Sequence, residues 1–306
     1  MRPTTFDQVI GQVGPKRQLN IALLAHDQGR KFGNVLLSGP AGNGKTTLAE
    51  IVSSELACGF MRFIGPNESS VKKFQEKLSR LQNHTVIFID EIHGLRKQSQ
   101  EILYRLMEDG ILEVIHGGIG GGWTQEELFE HVVVIGATTD PGMLTAPMRN
   151  RFQMQLRLEH YSEEEMFEIL LIQKEFDIHD DAAEVLVDIC RKTPRTLAGF
   201  IGTAENYALV DGSSIVQVKH VEQMMSDAGI DKSGMTRDDR VVIETIIKSF
   251  AGGPVGLSSI ASSTGLDLKT IEHIVEPFLI EKGILVRTGR GRAIDFRRLS
   301  IMKEVG

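Results

Sequence analysis

The apolar positions of this chain change their spacing partway along it. In the first half, short runs with no polar alternation recur at residues 34–38 (Asn-Val-Leu-Leu-Ser), 85–90 (Thr-Val-Ile-Phe-Ile-Asp) and 132–138 (Val-Val-Val-Ile-Gly-Ala-Thr). A strand that is apolar at successive positions is buried on both faces. Residues 45–56 and 98–108 have helical spacing and lie between these runs. Buried strands separated by helices predict an α/β fold whose parallel sheet is covered on both sides. Residues 117–122 are five glycines and one isoleucine, set between β-like runs at 112–115 and 132–135. That cluster reads as a loop or as the tip of a long hairpin.

After about Tyr161 the strand pattern stops. Ser162-Glu-Glu-Glu165 is a capping box, a hydroxyl N-cap followed three residues later by a carboxylate. Helical spacing follows at 163–175, 182–190, 196–209 and 218–227, which predicts a small all-helical domain over 161–228, ahead of a linker at 227–235. The last segment, 229–306, reads as helices at 238–250, 257–264 and 268–282, then short strands at 284–288 and 293–297 around Gly289-Arg-Gly-Arg292. Two helices joined by a short glycine turn, then a third helix and a basic hairpin, form the winged helix-turn-helix pattern.

At 306 residues the chain has room for two or three domains. Its 41% hydrophobic and 25% charged residues exclude a disordered or collagen-like chain. Cys58 and Cys190 cannot build a disulfide framework, which suits a reducing, cytoplasmic setting. No apolar run reaches the roughly 18 residues of a membrane span, and the first residues lack a signal-peptide core. The net charge of -7 conceals an asymmetry. Residues 1–229 carry 22 basic against 31 acidic side chains, whereas 285–303 carry six basic and one acidic. A basic C-terminal stripe on an acidic body suits an anionic partner touched at one end.

Chemistry concentrates at the ends of the buried runs. Gly39-Pro-Ala-Gly-Asn-Gly-Lys45-Thr46 is a full GxxxxGK[ST] match, directly after a strand and directly before a helix. In that setting backbone N–H groups wrap phosphate oxygens at a helix N-terminus, Lys45 reaches the β and γ phosphates, and the Thr46 hydroxyl ligates Mg²⁺. Thr47 is the next hydroxyl of the first turn. Asp90 and Glu91 end the second buried run, 45 residues after Lys45. Asp90 suits the Mg²⁺ shell, and Glu91 suits orientation or deprotonation of water. Thr139 ends the third run and is placed to contact the γ-phosphate or that water. Arg149 and Arg151 follow Pro147, where an arginine can stabilise charge on a transferring phosphoryl group. Arg195 opens a helix of the second part. The histidines, His93 among them, show no metal-ligand spacing, and Met224-Met225 reads as core.

Taken together these stretches resemble the AAA+ ATPases, and among them the RuvB family of bacterial Holliday-junction branch-migration motors. The resemblance rests on Arg2-Pro-Thr-Thr-Phe-Asp-Gln-Val-Ile-Gly-Gln12, the phosphate loop, Phe88-Ile-Asp-Glu-Ile-His93, Ile135-Gly-Ala-Thr-Thr139, Leu144-Thr-Ala-Pro-Met-Arg-Asn-Arg-Phe152, Gly252-Gly-Pro-Val-Gly-Leu257, Ile271-Glu-His-Ile-Val-Glu-Pro277 and Arg287-Thr-Gly-Arg-Gly-Arg292. It implies an AAA+ parallel-sheet ATPase domain over 1–160, a helical lid over 161–228 and a winged-helix DNA-binding domain over 229–306. It implies an adenine and ribose pocket bordered by Arg2, Ile10, Gly11 and Tyr161, and phosphate contacts from Gly42, Gly44, Lys45, Thr46 and Thr47. Thr139 and Arg195 take the places of the two nucleotide sensors, and Arg151 that of the arginine finger acting in a neighbouring subunit. Arg287, Arg290 and Arg292 take the places of the wing's DNA contacts.

The implied activity is ATP hydrolysis with Mg²⁺ in a ring, by expectation a hexamer, driving branch migration. The alternative is a non-translocating AAA+ DNA-binding or loading factor switched by ATP. The chain departs from the family pattern at Asn43, Asp140 and Lys192. It also departs at 116–129, where the family carries an aliphatic hairpin that docks on the junction-binding partner RuvA.

Overall fold

The computed structural model describes residues 2–68, 70–116 and 123–298. Within it the chain divides into two compact units, residues 1–165 and 166–306. The glycine cluster at 117–122 lies outside the described residues.

The first unit opens with helix α1 (Val13–Asp27), strand β1 (Val35–Ser38), α2 (Lys45–Glu55), β2 (Gly59–Ile64), α3 (Val71–Leu78), β3 (Thr85–Asp90) and α4 (Lys97–Asp109). It continues through β4 (Ile111–His116), β5 (Trp123–Leu128), β6 (Val132–Thr138), the short α5 (Ala146–Asn150) and β7 (Met154–Arg157). Five of these strands form one sheet in the order β2-β3-β6-β1-β7, parallel throughout. Alternation of side chains along each strand splits the apolar runs between two cores. Val35, Leu37, Val86, Phe88, Val133 and Ile135 pack on one face with α1 and α2. Leu36, Ile87, Ile89 and Val134 pack on the other with α3 and α4. Uninterrupted apolar runs therefore mark strands with no solvent face.

One expectation is corrected. The run at 112–115 belongs to a hairpin that β4 makes with β5, in antiparallel register from Ile111↔Leu128 to His116↔Trp123. Residues 132–138 take no part in it and enter the central sheet. The sequence Trp-Thr-Gln-Glu-Glu-Leu of β5 is largely exposed, so it carries no buried-strand pattern. The Arg105 guanidinium of α4 pairs with Glu113 on β4 and Glu126 on β5, tying both strands to the helix.

The second unit begins within α6 (Glu163–Gln173), whose capping box forms as expected: Ser162 N–H donates to Glu165 Oε2 at 2.9 Å, and Glu165 N–H to Ser162 Oγ at 3.2 Å. Next come β8 (Asp177–Ile178), α7 (Asp180–Ile189), α8 (Pro194–Val210), β9 (Ile215–Val216) and α9 (Val218–Ala228). The expected all-helical pattern is interrupted by β8 and β9, two residues each, which pair in parallel. Pairs this short leave no periodicity to detect. Met224 and Met225 are buried, as core residues are.

The C-terminal part runs through α10 (Arg237–Phe250), α11 (Leu257–Thr264), α12 (Leu268–Thr270), a wide π-helical turn at Ile271–Val275 and α13 (Glu276–Glu281). It ends in a hairpin of β10 (Leu285–Thr288) and β11 (Gly291–Ile294). Thr288 pairs with Gly291, so the turn is Gly289-Arg290. Arg292, expected in the turn, therefore stands on β11. Val242, Ile246, Ile260, Ile271, Val275, Leu279, Leu285 and Ile294 form the core of this part.

Arg191 precedes α8 and reaches α10 and α13. It donates to Gly234 O at 3.0 Å and to the carboxylate of Asp239, and its guanidinium lies 3.9 Å from the centre of the Phe278 ring. Asp239 is fully buried and also accepts from the N–H and hydroxyl of Thr236, the N-cap of α10. Lys192 pairs with Glu281 at 2.9 Å. Removing one member of a buried pair strands the other charge. An Asp239→Ala variant is therefore expected to lose about 3 kcal/mol of stability, read as a lower melting temperature and urea midpoint. An unchanged midpoint would show that the Arg191 pair carries no stability.

Candidate nucleotide site and winged-helix arginines

Parallel register carries the ends of β1, β3 and β6 to one edge of the sheet, where ligands bind in open α/β folds. The phosphate loop leaves β1 at that edge. Gly42 and Gly44 have φ of 82° and 93°, left-handed values that aim successive N–H groups into one concavity. At Gly39 a Cβ would lie 2.4 Å from Leu158 O, so the loop seats against its neighbour only without a side chain. Lys45 is buried, and its Nζ donates to the carbonyls of Gly39 and Pro40 at 2.7 and 2.9 Å, folding the ammonium over the loop. Thr46 and Thr47 occupy the first turn of α2.

The acid pair sits at the next strand end but one. Asp90 Oδ2 accepts from Arg62 Nη2 at 3.0 Å, across from β2. Glu91 has φ of 48°, a sparsely populated conformation for a residue with a side chain and one that clusters at functional sites. Its Oε2 accepts from both the N–H and the hydroxyl of Thr139, each at 3.0 Å. His93 Nδ1 lies 2.8 Å from Thr138 Oγ1 and 3.3 Å from Glu91 Oε2. The candidate base and the candidate sensor are thus hydrogen-bonded to each other, with His93 beside them on Thr138.

A wall closes the other side of the loop. Gln12 donates to Glu159 O at 2.9 Å and accepts from Glu159 N–H at 3.1 Å. Asn43 donates to the same carbonyl at 2.8 Å. Tyr161 is buried, which pushes its phenol pKa up, and its OH donates to Asn43 O at 3.5 Å. Gly11 lies beside this wall, where a Cβ would meet the Glu165 carboxylate at 2.5 Å. Ile10 borders the same turn. Arg2 is exposed, 3.7 Å from Glu50.

The remaining candidates stand apart. Arg151 packs on its own unit: it donates to Pro147 O at 2.8 Å, pairs with Glu108 at 3.1 Å and covers the Tyr104 ring at 4.0 Å. Arg195 belongs to the second unit, exposed in the first turn of α8. Arg290 is exposed at the hairpin tip. Arg287 and Arg292 both pair with Glu276, a fully buried carboxylate, which also raises the Arg292 pKa.

Sequence reasoning assigns no role to Arg62, Gln12, Glu159 or Glu276 and sets His93 aside. Arg62 announces itself only through register, since it lies opposite Phe88 on the neighbouring strand. Glu276 does carry a signal, a carboxylate inside an otherwise apolar helix face.

A backbone nest, a lysine, a helix-start hydroxyl and a strand-end carboxylate are the donor set of a nucleoside triphosphate held with Mg²⁺, and the residues fit that group. Among the described residues no group of three or more His, Cys, Asp or Glu could hold a metal ion by itself. No described helix is long and apolar enough to cross a membrane.

Fold and site together define a P-loop ATPase carrying a C-terminal winged helix. Residues 1–158 match the family model of the Holliday junction DNA helicase RuvB P-loop domain, and 232–302 match that of the RuvB C-terminal winged helix domain. The Holliday junction branch migration complex subunit RuvB of Kosmotoga olearia is 38% identical over 313 aligned positions, covering 99% of this chain and 91% of that protein. Its counterpart in Anaeromyxobacter sp. (strain K) is 36% identical, covering 95% and 86%. The structure of the Thermotoga maritima RuvB Holliday junction branch migration motor superposes with a TM-score of 0.87 at 34% identity, covering 99% and 98%. A single-site variant of the same protein gives 0.89 at 33% identity, covering 99% of each chain. The chain belongs to the RuvB family.

Loss of a positioned general base costs about 10²–10⁴-fold in rate. Glu91→Gln is expected to slow ATP turnover by about 100-fold or more while a fluorescent ATP analogue still binds. Turnover within twofold of the parent would remove Glu91 from the chemistry.

Proposed function

We propose that this protein is an ATP-driven DNA motor that moves Holliday junctions during recombination and repair. The observation that supports it best is the convergence of phosphate loop, Asp90, Glu91 and Thr139 at one sheet edge, in a chain that ends in a winged helix with a basic hairpin. Three parts share the work: an ATPase domain over 1–160, a lid over 161–228 and a DNA-binding domain over 229–306.

The N–H groups at 42–45 and the Lys45 ammonium bind the β and γ phosphates. Thr46 and Asp90 would hold Mg²⁺, while Asp90 Oδ2 accepts from Arg62. When bound, Mg²⁺ neutralises charge on the phosphates. Glu91 orients the attacking water and takes its proton, and Thr139 sets where that carboxylate points. Arg2, Ile10, Gly11 and Tyr161 border the nucleoside. Arg195 reports the γ-phosphate to the lid. Arg151 exchanges Glu108 for the phosphate of a neighbouring subunit, stabilising transferred charge, which requires a ring, taken here as a hexamer in the cytoplasm. Arg287, Arg290 and Arg292 grip DNA through its phosphates, which gives little sequence preference and a strong salt dependence.

A RuvA-like junction-binding partner would meet a hairpin of unusual chemistry, Trp-Thr-Gln-Glu-Glu on β5. That departure keeps a second reading open, a loading factor that binds DNA and turns over ATP without translocating.

A branch-migration assay on a synthetic four-way junction separates the two. The parent protein is expected to move the junction with ATP, and Lys45→Ala is expected to abolish both turnover and movement. ATP turnover on bound DNA with no product movement would favour the loading factor. Movement by Lys45→Ala would rule out the motor. Arg151→Ala is expected to lower turnover at least about 1,000-fold in assembled rings, as removal of an arginine finger does. Unchanged turnover would remove the shared site.

A further inference from the structure

The ion pairs that Glu276 makes with the two wing arginines have an unusual geometry for surface cations. Glu276 opens α13 and is fully buried beneath the hairpin. Arg287 on β10 donates to Glu276 Oε2 through Nε at 3.1 Å and through Nη2 at 2.5 Å. Arg292 on β11 donates through Nε to Oε1 and through Nη2 to Oε2 at 3.2 Å. The two residues are directly opposite in the hairpin register. One carboxylate thus holds two guanidinium groups side by side, each through the same two nitrogens. Each keeps Nη1 outside the carboxylate.

The charge balance makes this arrangement informative. Two guanidinium groups share this one buried carboxylate, and the Glu272 carboxylate also acts on Arg292. Side by side, the two cations repel, and the carboxylate offsets that repulsion. Arg287 is half exposed, with 54% of its side chain accessible, while Arg292 is nearly covered at 19%. Arginine recognises phosphate through a planar fork, and a fork fixed in advance loses less entropy on binding than a free one. Arg290, exposed at the tip, has no such anchor among the described residues.

We infer that Glu276 is a positioning residue for DNA binding: it holds Arg287 and Arg292 as a preorganised seat for a backbone phosphate. This rests on the reading of the wing as the DNA contact. The inference has a sign that simple electrostatics does not share. Replacing Glu276 by Gln makes the wing more positive by one charge. If the arginines act as point charges, DNA binds more tightly. If Glu276 aims them, DNA binds more weakly despite the added charge.

The test is titration of the full-length protein with a fluorescent duplex across a salt series. For Glu276→Gln the expected result is affinity weakened about tenfold, with the slope of log K against log salt shallower by about 0.9 for each phosphate that is no longer neutralised. Equal or tighter binding at an unchanged slope would overturn the inference.

Because Glu276 is buried, its variant is checked by thermal unfolding. Arg287→Lys, at a half-exposed site, reads the same property without touching the core. It keeps the charge and loses the fork, so weaker binding than the parent is expected, and parental binding would overturn the inference. Arg287→Ala and Arg290→Ala control for the underlying reading. If both bind DNA as the parent does, the wing is not the contact and the inference falls with it. If they weaken binding while Glu276→Gln and Arg287→Lys do not, only the inference falls.

Discussion

The parallel register of β1, β3 and β6 is the constraint on which the nucleotide site depends. Ser38 lies opposite Thr138, and Ile89 opposite Gly136, so the loop after β1, the acids at the end of β3 and the threonine after β6 emerge at one edge. A slip of one residue would exchange the two faces of a strand. Here both faces are buried, so a slip would exchange the side chains packed against α1 and α2 with those packed against α3 and α4. The core and the chemistry are therefore fixed by the same pairing. Phe88 cannot be moved without also moving Asp90.

Within that frame the charged side chains are committed to specific partners. Asp90 has Arg62, Glu91 has Thr139, Arg151 has Glu108 and Tyr104, and the wing arginines have Glu276. Most of these partners lie on a different element, so each contact fixes the direction of a side chain that the backbone alone would leave free. Long side chains such as arginine lose substantial rotamer freedom when ordered, and a partner within the same unit takes that loss before a ligand arrives.

Much of this is legible in the sequence because the signals are local. The apolar runs at 85–90 and 132–138 mark their strands to the residue, and the glycine pattern of 39–46 marks the phosphate loop. The capping box at Ser162 marks the start of α6. What stays hidden depends on long-range pairing. The strand β5 is polar because it stands exposed and is held by Arg105 from outside. The pair β8–β9 is too short for any period. Arg62, Gln12 and Glu159 act through partners 28, 147 and 116 positions away. Glu276 shows itself as a misfit carboxylate, but its two partners are brought together only by the register of Arg287 with Arg292.

The contact of Arg191 with Asp239 and Phe278 has a mechanical meaning. Arg191 lies just before α8, whose first turn carries Arg195, and Lys192 adds a second strut to Glu281 at the far end of α13. The start of α8 is thereby bolted to α10 and α13. Because packed interiors deform little, a push delivered at that turn is not absorbed locally. A link this rigid would carry such a push through α13 to the base of the β10–β11 hairpin, as torque passes along a stiff shaft.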